Sequence, residues 1–169
     1  MALVMAVEYG GASATTNSYC ALATADAYHE GRLHVSDWSS ASTTTKEAGL
    51  VWATRLLDDL VQWNGWKYTE DQALQWPRDG AYDRADYEIE IDEIPTFMQY
   101  ATAEFARCLI GSDRTLESGT RGFKKLEAGS LKMEINSSDR IDIIPDSVWT
   151  MINFCSTKVS AQVRYLKRA

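Results

Sequence analysis

The stretch TTKEAGLVWATRLLDDL, Thr44–Leu60, carries the clearest structural signal in the chain. Thr44 and Glu47 have the S/T-x-x-E spacing of a capping box, in which each side chain satisfies an orphan N–H of a helix's first turn. Behind them Ala48, Val51, Trp52, Leu56 and Leu60 recur at helical spacing, and Leu50, Ala53 and Leu57 widen the stripe. A stripe that broad predicts a helix buried against more than one neighbour. It is expected to stop before Asn64-Gly65, a turn dipeptide.

Towards the N-terminus, Leu22–Arg32 reads as a shorter helix, with Leu22, Ala25, Tyr28 and Leu33 on one face. The polar run Ser36–Thr45, broken by Trp38, reads as a loop between helices. Leu3–Tyr9 reads as a short edge strand leading into the Gly/Ala/Thr-rich loop Gly10–Asn17.

Towards the C-terminus, Pro95 suits the first turn of another helix, where its missing N–H costs nothing. Met98, Ala101, Phe105, Cys108 and Leu109 line that helix, and Gly111 stops it. Residues 122–136 read as a hairpin turning at Ala128-Gly129-Ser130, because Leu131, Met133 and Ile135 alternate with polar neighbours. A last helix near Pro145–Cys155 gathers Val148, Met151, Ile152 and Cys155. Helices, then a hairpin, then a helix and an extended end predict a mainly α, α-rich α+β fold: a small helical bundle with one short β-hairpin. The expected division is a helical domain over 1–155 and a basic segment over 156–169.

With 169 residues the chain suits one domain, and 45% hydrophobic with 24% charged residues is an ordinary globular composition. A net charge of −7 argues against a broad basic face for nucleic acid. The longest apolar run, Ala2–Val7, is too short to span a bilayer and lacks a signal peptide's basic flank. Membrane insertion and export are therefore not expected. Cys20, Cys108 and Cys155 are odd in number and form no CxxC pair, so structural thiols are expected.

No catalytic constellation emerges. There is no GxSxG elbow, P-loop or dinucleotide fingerprint, and neither His29 nor His34 has partners at metal spacing. Asp58 and Asp59 are helical neighbours, so their carboxylates diverge by about 100° and do not share one substrate. Neither an enzyme nor a cofactor is expected.

Three segments remain. Trp63, Trp66, Tyr68 and Trp76 are accompanied by only Lys67 and Arg78, with Glu70, Asp71 and Asp79 close in sequence. A phosphate-tracking groove needs net positive charge, so core and interface packing outweighs base stacking here. Asp79–Glu93 holds seven acids and one base, Arg84. It lacks a calcium-loop pattern and reads as a solvated loop, part of it a strand in which Tyr87, Ile89 and Ile91 share a face. Ser156–Ala169 has four bases and no acid, and Val159, Ala161, Val163 and Tyr165 alternate with polar positions. That pattern suits a strand added to a partner through an acidic patch, or an edge strand of its own domain.

The chain resembles a family of tailed-bacteriophage proteins, often labelled DnaT-like single-stranded DNA-binding but akin to head–tail connector adaptors. The resemblance runs from Asn17-Ser18-Tyr19 and Ala25-Asp26-Ala27-Tyr28 through Lys46-Glu47-Ala48 and Ala53-Thr54-Arg55-Leu56-Leu57-Asp58. Its most specific part is Trp63-Asn64-Gly65 with Gln72-Ala73-Leu74-Gln75-Trp76-Pro77-Arg78. Ile94-Pro95 with Ala101, Glu104 and Ala106 extends it, and Gly129-Ser130-Leu131 and Pro145 match more loosely. Ala21 and Thr24 stand where relatives often carry a Ser and Glu capping box, which should cost the first helix about 1 kcal/mol.

The resemblance implies a structural virion protein made in the host bacterial cytoplasm and placed at the head–tail interface. It would form a ring, commonly of about twelve copies, whose side-to-side contacts close. The ring would join the portal to the next tail component, a stopper or nozzle, and line the channel through which genomic DNA passes. Trp63, Gly65, Trp76, Pro77 and Arg78 would be signature packing residues. Val163, Arg164, Tyr165, Leu166, Lys167 and Arg168 would dock on the portal. The alternative is a single-stranded DNA-binding phage replication protein, as the label states.

Overall fold

In a computed structural model the described residues are 3–116, 125–128, 131–134 and 142–159. The elements run α1 (Leu22–Glu30), α2 (Ser36–Ser40), α3 (Thr43–Leu60), β1 (Val61–Trp63), β2 (Trp66–Lys67), β3 (Arg78–Asp79), α4 (Thr96–Gly111), β4 (Lys125–Ala128), β5 (Leu131–Glu134), α5 (Asp146–Ile152) and β6 (Ser156–Lys158). A 3₁₀ turn, Asn153–Cys155, joins α5 to β6. The fold is mainly α with short antiparallel hairpins, as the element pattern predicts.

Helix α4 is the axis of the bundle. Met98 and all of Ala101–Ala106 are buried, because α1, α2, α3 and α5 each pack on it. A helix apolar on so many sides is stable only when surrounded. Its alanines also let neighbours approach closely: Gly49 of α3 lies against the Ile110 side chain and the Ala106 carbonyl. Leu50, Ala53, Leu56 and Leu57 of α3 join Met98 and Phe105 in the core. Each large side chain buried there contributes about 1.5–3 kcal/mol.

Glu104 is the exception on that axis, 1% exposed among apolar neighbours. Its Oε1 accepts from Arg32 of the α1–α2 connection at 2.8 Å and from Arg107, one turn on, at 2.7 Å. A buried carboxylate needs such partners, and these fix α1 against α4.

The structure corrects several expectations. The α3 cap is Ser42, whose Oγ accepts from the Thr45 N–H at 3.2 Å, and not the Thr44/Glu47 box. Ala48 and Trp52 face solvent, since α3 turns its Leu50–Leu57 side to α4 and neither residue lies on that side. Ser36–Thr45 is not one loop: α2 forms around Trp38, which is buried while its Nε1 donates to Asp26 and Lys46 covers its ring. Leu33 is 80% exposed, because α1 ends at Glu30 before reaching it.

Leu3–Tyr9 is not a strand either, making one parallel bridge from Val7 to Ser18. The next residue explains why. The buried Glu8 carboxylate gathers the N–H groups of Gly10, Ala12 and Ser13 and the Thr16 hydroxyl, folding the chain back on itself. Ala21 caps α1 without a side-chain bond.

The expected hairpin is present as β4–β5, which pairs Ala128 with Leu131 and Lys125 with Glu134. The acidic stretch is not an open loop: 81–89 close into a hairpin through Ile89 N–H to the Ala81 carbonyl at 2.9 Å and Asp83 N–H to the Tyr87 carbonyl at 2.8 Å. Arg84 at its tip donates to the Thr150 carbonyl of α5, and of Tyr87, Ile89 and Ile91 only Ile89 is buried. The final short strand, β6, pairs with β1 in the register Val61↔Lys158 and Trp63↔Ser156. This pairing brings residue 156 back beside the end of α3.

Candidate functional site

The loop between β1 and β3 holds the most specific sequence motif, and the structure gathers its residues around Arg78. Arg78 is 6% exposed, and its guanidinium meets only uncharged oxygens. Its Nε donates to the Asn64 carbonyl at 2.8 Å. One terminal nitrogen donates to the Gly65 carbonyl at 2.6 Å and the other to the Gln75 carbonyl at 2.9 Å. Burial lowers the Arg78 pKa from its ordinary value, and the fork of donors compensates by holding two chain segments together.

Gly65 is required at the turn. Its φ is +72°, and a Cβ there would stand 2.2 Å from the Asp79 carbonyl. The tight turn sets β2 against β3, pairing Trp66 with Asp79 and Lys67 with Arg78. Trp63 and Trp76 pack edge to face at 5.8 Å, and Trp76 meets Phe97 of α4 in the same manner at 5.9 Å. The Trp76-Pro77 peptide is cis. Trp63, Gly65, Trp76, Pro77 and Arg78 therefore form one packed unit.

Sequence reasoning missed the polar clamp behind this unit. The Tyr19 hydroxyl accepts from the Gln75 and Trp76 N–H groups and donates to Asp58 Oδ1 at 2.5 Å. Burial pushes the Asp58 carboxyl up to about 7, with the Asp59 charge adding, while Tyr19, Gln75 and Lys67 favour the ionised form. Gln72 is buried as well. It accepts from the Thr69 N–H and donates to the carbonyls of Leu74 and Pro77. The signals were present in Asn17-Ser18-Tyr19 and in Gln72 of the tryptophan motif, but neither spacing predicts their partners.

The loop presents two aromatics outward. Trp66 is 78% exposed and Tyr68 42%, which corrects the reading of the whole cluster as packing. Lys67 lies between them, its Nζ donating to the Gln72 carbonyl at 2.9 Å. Glu70, Asp71 and Asp79 are also exposed here.

Elsewhere on the described surface, the exposed cations are Arg55, Arg84 and Lys158. Each already has a partner: Arg55 lies over Trp52, Arg84 over Phe154, and Lys158 over Trp149 while pairing with Asp142. Burial raises Cys20 and Cys155 to about 12, so both thiols stay protonated. Among the described residues no group of three or more His, Cys, Asp or Glu could hold a metal ion. No described helix is long and apolar enough to cross a membrane. The expected docking residues Val163, Arg164, Tyr165, Leu166, Lys167 and Arg168 lie outside the described residues.

A sequence-family model described as "Putative DnaT-like ssDNA binding protein" matches residues 1–164. The chain belongs to this DnaT-like family. No curated protein and no solved structure matches it. The family match spans the whole Trp63–Arg78 unit, the Tyr19–Asp58 clamp and the bundle that supports both.

Proposed function

We propose that the chain is a structural virion protein: a head–tail adaptor that assembles as a ring, joins the portal to the next tail component and continues the DNA channel. One observation carries this reading. The signature residues, Arg78 included, are turned inward as packing, and the exposed cations among the described residues are engaged by rings or acids of the same chain. The described surface is left dominated by carboxylates. Such a surface suits a channel through which DNA slides without adhering, and it suits subunit contacts better than phosphate tracking. On this reading Val163–Arg168 dock on the portal. The test is electron microscopy of purified particles with mass spectrometry of their proteins. A ring of this chain between portal and tail supports the adaptor, and its absence from particles overturns it.

The family description favours a second reading, a single-stranded DNA-binding replication protein. Exposed Trp66 and Tyr68 flanking Lys67 are the feature that would serve it, since bases stack on aromatics beside a cation. Gel shift at low salt separates the two. Tight single-stranded DNA binding lost in Trp66→Ala supports the second reading. No shift with the intact chain removes it.

A further inference from the structure

Helix α2 is only five residues long, and its start has no side-chain cap. It seats on the bundle through Trp38, 2% exposed, whose Nε1 donates to Asp26 of α1 at 2.9 Å. Beneath that indole lies His29, with 4.6 Å between ring centres and the planes tilted by 42°. Tyr28 meets the imidazole edge-on at 5.0 Å. The connection into α2 passes through His34 at φ +60°, a left-handed conformation that a non-glycine residue adopts at a cost.

The imidazole is 2% exposed, and its protonation state follows from its partners. Nε2 lies 3.2 Å from the Ala103 carbonyl, which can only accept, so Nε2 carries the proton. Nδ1 is then a bare acceptor, buried and without a partner among the described residues. A second proton there would make an N–H donor that faces no acceptor, on a charged ring held out of water.

Charged groups approach this ring from every element packed around it. Asp26 lies on its own helix and Arg32 just beyond it, while Glu104 and Arg107 face it from α4. From α2 comes the Trp38 ring, with Asp37 turned towards Arg107 and Gly111. Lys46 of α3 lies over the Trp38 ring at 5.2 Å while pairing with Asp26. A charged imidazole would therefore set a second cation against one indole. Burial holds the His29 pKa below its ordinary value, with Arg107 and Arg32 adding, against the Ala103 carbonyl and Glu104.

Opening α2 resolves the conflict. It admits water to Nδ1, separates the imidazole from the ring that Lys46 covers and releases the strain at His34. Helices α1 and α4 stay joined meanwhile through Arg32 and Glu104 at 2.8 Å. We propose that α2 is an acid-opened lid: protonation of His29 at Nδ1 displaces Trp38 from its seat and swings residues 33–41 away from α4. Opening uncovers the Trp38 indole and the alanine side of α4, an apolar surface that the closed form withholds from partners. The lid stands on the fold alone and is independent of the adaptor reading.

The direction with pH follows from linkage. The closed lid is favoured above about pH 6.5, the ordinary histidine value that the open form regains, and the preference is lost as pH falls through it. Asp58 works in the opposite sense, since its folded carboxyl at about 7 favours the folded chain in acid. Acid thus loosens α2 while it favours the clamp at Tyr19.

The experiment is amide and indole hydrogen exchange on the full chain by NMR, between pH 7.5 and pH 5.0, with intrinsic rates divided out. Exchange at the amides of 36–41 and at the Trp38 indole is expected to rise about tenfold, while the amides of α3 and α4 hold. His29→Gln keeps a donor for the Ala103 carbonyl but cannot take a second proton, and His34 is still present. Its α2 exchange should not change with pH. No acid acceleration in the native chain, equal acceleration in His29→Gln, or acceleration shared with α3 and α4 would overturn the lid. Should His29→Gln fail to fold, the ring signals of His29 in the native chain decide. They should titrate below about pH 6.5 with the midpoint of the α2 exchange, and a midpoint at or above that value would overturn the proposal.

Discussion

Tyr19 and Asp58 meet at 2.5 Å between their side-chain oxygens, and that contact ties the N-terminal segment to the end of helix α3. Because the Tyr19 hydroxyl also accepts from Gln75 and Trp76, one side chain joins three stretches of sequence. Deleting it leaves the buried Trp76 N–H without its acceptor, while the Gln75 N–H keeps Asp58 Oδ2 at 3.1 Å. Tyr19→Phe should cost about 1–3 kcal/mol, read as a lower urea midpoint at unchanged slope.

The same contact sets a pH dependence. The folded Asp58 carboxyl sits at about 7, above its ordinary 3.8, so the folded chain holds that proton more tightly than the unfolded chain does. This contribution to stability is complete below about pH 4 and is lost as pH rises through 7. Asp58→Asn cannot ionise. Its stability relative to the native chain should therefore improve steadily from pH 4 to pH 8. Urea midpoints at five pH values check this, and parallel profiles would show that Asp58 titrates no differently in the folded chain.

Arg78 should not tolerate lysine. The guanidinium serves carbonyls of Asn64, Gly65 and Gln75 from a fixed fork, whereas one ammonium cannot reach all three from a shorter stem. Arg78→Lys and Arg78→Ala are both expected to destabilise, the latter by about 2–4 kcal/mol as acceptors are orphaned. Thermal denaturation with lost Trp66–Asp79 pairing by NMR reads both effects.

The two glycines of this hairpin should respond differently. Both have positive φ, but a Cβ at Gly65 would meet a backbone carbonyl at 2.2 Å, while nothing stands nearer than 4.0 Å at Gly80. Gly80→Ala should cost about 1–2 kcal/mol, the ordinary left-handed penalty. Gly65→Ala should cost clearly more, and equal midpoints for the two would refute the close approach.

Tryptophan position decides its role. Trp76, fully buried, should lose about 3–5 kcal/mol as alanine, whereas Trp66→Ala should change stability by about 0.5 kcal/mol or less. Any loss of binding in Trp66→Ala thus reports contact with a partner, because the fold is intact.

The helices at α3 and α4, the β4–β5 hairpin and the mainly α class were legible in the residues themselves, because periodicity reports which side of an element is apolar. The motif Trp63-Asn64-Gly65 with Gln72–Arg78 was likewise legible as a unit. Periodicity does not report what covers a side. Trp52 and Trp66 have the same chemistry as Trp38 and Trp76, yet the first pair faces water and the second the core. Only the approach of α4, Asp26 and Phe97 decided between them. Capping shows the same division: Thr44-x-x-Glu47 fits a helix start in the sequence, yet α3 begins earlier, at Thr43, and is capped by Ser42 through the Thr45 N–H. Acid-rich composition determined that residues 79–93 would be wet. That they form a hairpin pinned to α5 by Arg84 was decided by tertiary structure, since hydrogen bonds and ring contacts between residues 66 apart leave no periodic trace in the chain.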